Sequence, residues 1–497
     1  MYNFLMKHTV WENLFTALIL NTIITSASFA QNTKTVEELL SGYLRTNLTL
    51  LKLSSEVQNH ELENKSSLIE NGIAVSLSTG SVTISTANSS GTDNNGYGTI
   101  IFSSKPQATL TVPQASNLNL SFSSSIEFRN NEMNADSTEI LFEADIFSGA
   151  RLERKIKLME SERKVLEAKR ALQNGFLTAE KDFYEELRSL YKTKSDIVTA
   201  QKDLYEDTIE FEKVKAQGYS SGSSKYRLAK LELLSDEHKI ESYRHELERS
   251  TKIFALKCGL SITDAADFLP KEIPEVQPVK AGAFDKNTFT ETETALWNLN
   301  INSLKRKADQ SLTLKAGAGY TFANDITDTK SDTIDATAAL TLNETALTLG
   351  AGIYFPTDDA ANPSYKFSLG LNPNKFLTQK ITDRQKVIAE DQEKIAIESA
   401  RNNYITSIIS QNSELEDILW SRQKNSETYK LYSDLEADTK SHFEQGIISE
   451  SEYKTAEVNK ENYRIQCLLD QIDLIIYNNN TKLKFTRDEE IIGGNIK

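Results

Sequence analysis

Residues 176–211 read FLTAEKDFYEELRSLYKTKSDIVTAQKDLYEDTIEF, with an apolar side chain at every seventh position. The repeating residues are Phe176, Phe183, Leu190, Ile197, Leu204 and Phe211. A heptad kept over this many turns predicts a long helix that packs side by side with other helices. No proline occurs between residues 114 and 269, so this helix is predicted to run without a break over 148–217.

A second long helix is predicted over 376–445, where Ile381, Ile388 and Ile395 begin a weaker heptad. Each long segment ends at a glycine, and a return helix follows it, over 224–258 and 450–486. The two turns read Gln217-Gly218-Tyr219-Ser220-Ser221 and Gln445-Gly446-Ile447-Ile448-Ser449, with one extra residue, Gly222, after the first. The two glycines are 228 residues apart, which indicates that one structural unit occurs twice in the chain.

A block of residues that alternate between apolar and polar precedes each long helix. We predict four strands in each block: 72–86, 97–112, 117–128 and 138–147, then 311–322, 333–343, 346–355 and 364–371. An even number is expected if the helix that enters each block and the helix that leaves it lie on the same side of a membrane. Their lengths and their one apolar face suit the wall of a membrane β-barrel. A soluble β-sandwich alternates in the same way, so the alternation alone leaves both architectures open.

Residues 1–30 have the features of a secretory signal peptide: Lys7, an apolar run over Leu14–Thr25, and small residues at Ser28 and Ala30. An uncleaved anchor is the alternative interpretation. The predicted order along the chain is signal peptide (1–30), N-terminal helix (31–70), first β segment (71–147), first helical hairpin with its tip near 218 (148–258), linker (259–286), helix (287–310), second β segment (311–373), second helical hairpin with its tip near 446 (374–486) and C-terminal tail (487–497). Residues 87–98 are predicted to be a surface loop.

The composition argues against nucleic-acid binding and against enzyme chemistry. The chain has 497 residues, and 56 Lys and Arg against 71 Asp and Glu give a net charge of −15, whereas a nucleic-acid binder needs a basic surface. The only cysteines, Cys258 and Cys467, exclude a zinc site made of four thiolates. His238 and His245 are seven residues apart rather than the four of a helical zinc pair. We therefore predict no catalytic residues, no cofactor and no metal.

The order of these features resembles the TolC-type outer-membrane efflux protein family. Phe147-Ser148-Gly149-Ala150-Arg151 is similar to the family's strand-to-helix junction, and Gly446-Ile447-Ile448-Ser449 is similar to its turn. The resemblance implies a homotrimer that combines a β-barrel in the outer membrane with an α-helical coiled-coil barrel in the periplasm. It also implies two partners, a periplasmic adaptor (membrane fusion) protein and an inner-membrane transporter. Chains of the family usually have two strands per half, so four or eight strands per chain remain open.

Two sets of candidate functional residues follow. The hairpin tips are expected to dock the adaptor; they comprise Gly218, Tyr219, Ser221, Gly446, Ile447, Ile448 and Ser449. A plain helix-turn-helix reversal is the alternative for the tips. Asp434 and Asp438 correspond at the 228-residue offset to Glu206 and Glu210, and these acidic pairs are expected to line a constriction of the pore. Solvated surface acids, with Lys430 one turn from Asp434, are the alternative for the pairs.

The leading functional hypothesis is a passive export channel for a drug-efflux or type I secretion pump. A coiled-coil structural or adhesive protein of the cell envelope, without transport activity, is the alternative. A soluble periplasmic coiled-coil interaction protein is a third interpretation. The repeated unit favours the channel, because an adhesive stalk has no reason to return twice to the same β region.

Overall fold

The computed structural model describes residues 35–87, 99–113, 117–129, 132–147, 149–261, 269–309, 312–324, 330–342, 347–356, 362–371 and 373–486. The predicted signal peptide, the predicted surface loop apart from residue 87, and the C-terminal tail lie outside the described residues.

Seven α-helices are formed by the described residues. They are α1 (Val36–Thr46), α2 (Leu48–Glu70), α3 (Ala150–Ala216), α4 (Ser224–Lys257), α5 (Thr290–Asp309), α6 (Pro373–Glu444) and α7 (Glu450–Leu483). The long helices α3 and α6 have 67 and 72 residues, and each is followed by a shorter return helix. None of the described helices contains an apolar stretch long enough to cross a membrane.

The described strands form one antiparallel sheet. They are β1 (Ala74–Ser78), β2 (Val82–Ala87), β3 (Thr99–Ser104), β4 (Gln107–Val112), β5 (Leu118–Arg129), β6 (Glu132–Phe147), β7 (Leu312–Asn324), β8 (Lys330–Leu342), β9 (Leu347–Pro356) and β10 (Ser364–Leu371). The sheet runs β1-β4-β5-β6-β7-β8-β9-β10, while β2 pairs with β3 and β3 with β5. β6 and β7 join the two halves of the chain within this sheet.

Two of the predicted strands are each broken into two short ones. The predicted strand 72–86 is β1 and β2, and the predicted strand 97–112 is β3 and β4. At the first break Gly80 has a φ of +66°, and a Cβ there would lie 2.1 Å from the carbonyl oxygen of Lys105, so only glycine fits. At the second break Pro106 has no N–H group to donate. Since β1 pairs with β4 and β2 with β3, the ten strands occupy eight positions, four in each half.

One face of the sheet is apolar across its whole width. Leu314, Ala318 and Tyr320 on β7 lie opposite Leu340, Ala336 and Ile334 on β8. The face extends from Val75 and Leu77 at one edge to Phe367 and Leu369 at the other, and these four side chains are exposed. The opposite face carries small and polar residues, among them Ser121, Ser123, Gly317, Thr337, Gly352 and Ser368.

The chain divides into two compact units. The sheet unit comprises Asn47–Tyr184, Gln277–Gln423 and Asp473–Lys497, and the hairpin unit comprises Met1–Thr46, Glu185–Val276 and Lys424–Ile472. The sheet unit thus contains the sheet, and the hairpin unit contains both helical turns.

In the sheet unit, α3 packs against α5 through an apolar cluster and a buried ionic group. Ile156 on α3 is buried with Ile301 and Ala308 on α5. Beside them Glu293 accepts hydrogen bonds from Arg163 and Arg170, at 2.8 Å and 3.0 Å for the Nη2 of Arg163 and the Nη1 of Arg170. Burial opposes the charge of Glu293, but the two arginines outweigh it and lower the pKa of this carboxyl. The ionic group therefore fixes the position of α5 on α3.

The two heptads differ in how the chain buries them. In the first long helix Phe183, Leu190 and Phe211 are almost fully buried. The residues that begin the second heptad, Ile381, Ile388 and Ile395, are respectively 61%, 48% and 67% exposed on α6. Three of the six residues of the first heptad are thus buried within the chain, although Phe176 is 43% exposed, whereas this part of the second heptad remains uncovered.

Candidate functional site

The first hairpin turn joins α3 to α4. The N–H of Gly218 donates to the carbonyl of Lys215 at 2.9 Å. Gly218 has a φ of +78°, and no heavy atom lies within 4 Å of the place that a Cβ would occupy there. Glycine is therefore favoured here by its backbone conformation and not by lack of space. Ser223 caps α4, because its side chain accepts a hydrogen bond from the N–H of Tyr226.

The second hairpin turn joins α6 to α7 and is more regular. The N–H of Gly446 donates to Phe443 O, and the N–H of Ile447 donates to His442 O, both at 2.9 Å. These two bonds make a Schellman motif around Gly446, whose φ is +74°. Ser449 and Glu452 then form a capping box, in which each side chain accepts a hydrogen bond from the other's backbone N–H.

The two serines that were predicted to dock a partner, Ser221 and Ser449, do not have equivalent positions in the two turns. Ser449 is the cap of α7, so its side chain is used within the chain. The residue that caps α4 is Ser223 and not Ser221. Seven residues, 217–223, therefore separate α3 from α4, whereas five, 445–449, separate α6 from α7. The first turn is thus longer by two residues and not by the single Gly222 that the sequence comparison indicated.

Apolar side chains are exposed at both turns. Ile447 is 64% exposed, and Ile448 beside it is half-buried. At the first turn Tyr219 is exposed, and the Nζ of Lys225 lies 4.8 Å from the centre of its ring. Lys225 also donates to the side chain of Gln217 at 3.1 Å. The two turns therefore present different surfaces, one aliphatic and one in which a tyrosine is covered by a lysine.

The four acidic residues predicted for a constriction are all exposed. On α3, Glu206 pairs with Lys202 at 3.2 Å and Glu210 pairs with Lys213 at 3.3 Å. On α6, Asp434 and Asp438 form no ion pair with any described residue, Lys430 included. The first pair is therefore neutralised on its own helix, and the second pair is not.

The face of α6 that carries Asp434 and Asp438 is also apolar. Leu431 and Leu435 lie within one turn of the two acids on the same side of the helix, and they are 69% and 46% exposed. This face differs from the corresponding part of α3, where Glu206 and Glu210 each have a lysine partner. We therefore regard this face of α6 as the better candidate for a functional surface.

A third acidic group, which sequence analysis missed, lies between α3 and α4. Partial burial raises the pKa of Asp207, and the carboxyl of Asp236 raises it further by repulsion and by a hydrogen bond. Glu232 and Asp203 add to the repulsion, and Lys239 pairs with Asp203 at 3.4 Å. The pattern of acids four residues apart on both helices was visible in the sequence, but their alignment across the turn was not.

The second hairpin has no such group at the corresponding place. The residue 228 positions after Asp207 is Leu435. Nearby, Lys460 on α7 donates to Glu436 on α6 at 3.0 Å, and the rings of Tyr432 and Tyr463 stack with their centres 5.2 Å apart. At neutral pH the acidic group therefore opposes the packing of α3 on α4, and the described residues of the second hairpin have no counterpart to it.

We expect the stability of the first hairpin to fall as the pH rises. The folded-state pKa of Asp207 is raised, so the folded hairpin binds its proton more tightly, and the associated stability is lost as the pH rises through that pKa. Asp207→Asn should remove this dependence. Hydrogen exchange of residues 200–240 reports it, measured at about pH 3.5, below the ordinary pKa of an aspartate, and at about pH 7.5, and corrected for intrinsic rates. Glu206→Gln, which alters an exposed acid on the same helix, should behave as the wild type; an equal effect of both variants would contradict the assignment.

Similar solved structures are outer-membrane proteins. The outer membrane protein VceC of Vibrio cholerae is 12% identical, with 93% of this chain and 96% of the VceC chain covered and a TM-score of 0.43. The outer membrane channel CmeC of Campylobacter jejuni is 12% identical, with 94% and 93% covered and a TM-score of 0.46. The open state of the outer membrane channel MtrE of Neisseria gonorrhoeae is 12% identical, with 93% and 96% covered and a TM-score of 0.46.

No curated protein matches the chain. Two protein-family models do match, and they follow one another along the sequence. The TP096X N-terminal domain matches residues 39–274 and the TP096X C-terminal domain matches residues 274–488. Their boundary falls at Pro274, between the first helical hairpin and α5. With both domains present in order over nearly its whole length, the chain belongs to the TP096X family.

Proposed function

We propose that this chain forms a trimeric channel in the outer membrane, with a β-barrel in the lipid and a helical tunnel in the periplasm. The observation that carries the proposal is the sheet, which has one exposed apolar face, one polar face and two unpaired edges. Such a sheet has the properties of one segment of a barrel wall, and further strands are needed to close the barrel. The channel is a passive conduit for an inner-membrane transporter of the drug-efflux or type I secretion kind.

The dimensions and the ends of the sheet support insertion into a bilayer. β7 and β8 have 13 residues each, which gives a length of roughly 40 Å at ~3.3 Å per residue. A tilt of ~40° reduces this to about 30 Å, the thickness of the hydrocarbon core. At the end away from the helices the apolar face carries aromatic side chains: Phe102, Phe128, Tyr320, Phe322, Phe355 and Tyr365. Aromatic side chains gather at the interface level of membrane barrels.

The edges of the sheet support closure by further copies of the chain. β1 at one edge and β10 at the other are exposed at every residue. β1 leads away from the helices and β10 leads back to them, so β10 of one copy and β1 of the next meet in the antiparallel sense that the rest of the sheet uses. Lipid does not tolerate an unpaired edge, and a ring of identical copies removes every edge. Three copies are what the family resemblance implies, and they give 24 strand positions.

The helices next to those two edges carry uncovered apolar stripes. α2 leads into β1, and on it Leu48, Leu62 and Ile69 are 78%, 63% and 75% exposed at heptad spacing. α6 follows β10, and its exposed stripe is Ile381, Ile388 and Ile395. Each stripe is attached to the strand that must meet the next copy. Contact between copies would bury both stripes, as the heptad pattern requires.

The hairpin turns are the proposed docking site for a periplasmic adaptor. Ile447 is an exposed aliphatic side chain that no contact within the described chain requires, and Gly446 holds it in a rigid Schellman turn. Tyr219 with Lys225 offers a second, weaker contact at the other turn. A partner that buries Ile447 gains free energy in proportion to the apolar area it covers.

Asp434 and Asp438 are the proposed acidic lining of the periplasmic constriction. Three copies would bring six unpaired carboxylates of α6 to one level of the pore. Leu431 and Leu435 of each copy would lie beside them. Such a ring attracts cations and repels anions. Glu206 and Glu210 contribute less, because each has a lysine partner.

The alternative, an adhesive or structural coiled-coil protein, accounts for the long helices only. It leaves unexplained a sheet with one apolar face, two bare edges and the uncovered stripes on α2 and α6. The channel accounts for all of these features together.

We expect the protein extracted in mild detergent to have three times the mass of one mature chain, that is, of 55.8 kDa less the predicted signal peptide. Charges placed in the stripe of α6 by Ile388→Glu and Ile395→Glu should dissociate it, because they bury carboxylates between copies. Size-exclusion chromatography with light scattering measures the mass. Ile253→Glu, at an exposed apolar residue of α4, is the matched control and should leave the assembly intact. A wild-type protein that is a uniform monomer would overturn the proposal.

Replacing Ile447 with Glu should abolish export while the assembled protein stays in the membrane, because the carboxylate prevents an apolar contact with the adaptor. A growth assay with an exported toxic compound measures export, and the membrane fraction measures assembly. Leu256→Glu, an equally drastic change at an exposed leucine distant from both turns, should have no effect. Normal export by the Ile447 variant would remove the turn from the docking site.

Asp434→Asn with Asp438→Asn should reduce the preference of the pore for cations. Single-channel recordings in planar bilayers with a salt gradient give the reversal potential, which reports this preference, and divalent cations in the bath test for block. Glu237→Gln with Glu241→Gln, exposed acids four residues apart on α4, is the control. If both double variants shift the reversal potential equally, the effect is one of net charge and not of a constriction.

A further inference from the structure

Basic residues are concentrated at three of the four places where a helix meets the sheet; the fourth, where α2 leads into β1, carries more Glu than Lys. Segments 151–164, 301–309 and 373–386 together contain 13 Lys and Arg against 5 Asp and Glu. The whole chain has 56 Lys and Arg against 71 Asp and Glu, so these three short segments are positively charged in a chain that is negatively charged overall. All three adjoin a strand: α3 begins after β6, α5 ends before β7, and α6 begins after β10.

Seven exposed cations of these segments form no ion pair within the described chain. Four of the seven lie outside the cavity between α2 and α3 and within about two turns of a helix end: Arg151 and Lys155 on α3, Lys307 on α5 and Lys380 on α6. Other cations of the same segments are paired. Lys305 pairs with Glu160 at 2.8 Å and Arg306 with Glu393 at 2.9 Å. The chain therefore neutralises some of its cations and leaves others unpaired, these four among them.

The four cations lie close to the end of the apolar face. Arg151 and Lys155 are in the first two turns of α3, and Lys307 is in the last turn of α5. At ~1.5 Å per residue, Arg151, Lys155 and Lys307 are within roughly 10 Å of the adjoining helix end, and Lys380 lies about 10 Å along α6. The polar headgroup layer begins where the apolar band of a membrane protein ends, and long basic side chains reach several ångströms further into it.

The helix faces that carry the cations point away from the neighbouring helices. On α3, Ile156 packs on α5, and the cavity between α3 and α2 is lined by Lys157, Glu160 and Lys164. At 100° per residue these contacts occupy one half of the surface of α3, and Arg151 and Lys155 occupy the other half. Lys307 likewise lies opposite Lys305, which faces α3. If the two helices beside a helix both contact the same half of its surface, the layer of helices is curved, and the free half lies on the convex side. In a closed ring of helices the convex side faces outward.

We propose that Arg151, Lys155, Lys307 and Lys380 form a basic collar that binds the phosphate groups of anionic phospholipids in the leaflet next to the helices. The proposal rests on the proposed function, since only a protein inserted by its sheet brings this level to the headgroups. The complementary charge is supplied by the lipid phosphates, and the adjoining apolar face supplies the contact with the acyl chains. The collar then fixes the depth of the barrel at its periplasmic end. The cavity between α2 and α3 does not share this role, because its lysines alternate with Glu63, Glu70 and Glu160.

The test uses the full-length protein reconstituted into vesicles of phosphatidylcholine with and without 30% phosphatidylglycerol, a proportion of roughly one anionic lipid in three. The protein is re-extracted gently, and the lipids retained with it are measured by mass spectrometry. We expect phosphatidylglycerol to be enriched severalfold over its share in the vesicle, and high salt to reduce the enrichment. Replacing all four cations by Gln should abolish the enrichment, because the lipid phosphates then lose their opposite charge.

A matched variant separates the collar from overall charge. Arg227, Lys230, Arg249 and Lys440 are also exposed cations without an acidic partner in the described chain, but they lie in the hairpin unit. Their replacement by Gln should leave the enrichment unchanged. No enrichment with the inserted wild type, or equal loss in both variants, would overturn the collar. Failure to insert into either vesicle, judged by protection of the sheet from protease, would instead overturn the proposed function and the collar with it.

Discussion

Unpaired backbone groups along β1 and β10 are the constraint on which the rest of the structure depends. Every N–H and C=O group that leaves water needs a partner, and an apolar sheet face draws the neighbouring backbone out of water. The chain provides eight strand positions and stops with both edges open. In the proposed channel, further copies complete the sheet, and the helices attached to its edges must fit together when they do. The uncovered stripes on α2 and α6 are the helix surfaces that would be buried by the same contact between copies.

The sequence was sufficient for the periodic parts of the fold. The heptad of Phe183, Leu190 and Phe211 predicted α3, and the alternation in the second half predicted four strands close to β7–β10. The broken strands were not predictable, because the break at Gly80 depends on how closely the backbone at Lys105 approaches it. Alternation reports which face a residue occupies, but it does not report such contacts between distant segments.

The candidate site was predictable only in part, for a related reason. Gly218 and Gly446 were recognised, since the residue that takes a positive φ at the end of a helix is usually glycine. The role of Ser449 as a cap was open to the same reasoning, because Glu452 stands three residues after it. The proximity of Asp207 to Asp236 was not, since it depends on the length of the first turn, and that turn is longer than the repeat indicated.

The two halves of the chain share an order of elements and differ in their contacts. In the first hairpin a carboxyl faces another carboxyl across α3 and α4, whereas in the second a lysine meets a glutamate and two tyrosines stack. A ring built from such chains presents unlike hairpins in alternation. A partner made of identical subunits therefore meets two kinds of neighbour around the ring.

The pairing of β6 with β7 also sets the order in which the chain becomes able to fold. These strands are neighbours in the sheet, yet the first helical hairpin and α5 separate them by about 160 residues, a span that makes their meeting slow. During synthesis and export β6 emerges long before its partner, with one apolar face and one open edge. Under the proposed function, this strand has to be kept from other chains over that interval in the compartment that receives it. A truncation just before β7 would leave such a strand exposed permanently, and would convert a delay in folding into aggregation.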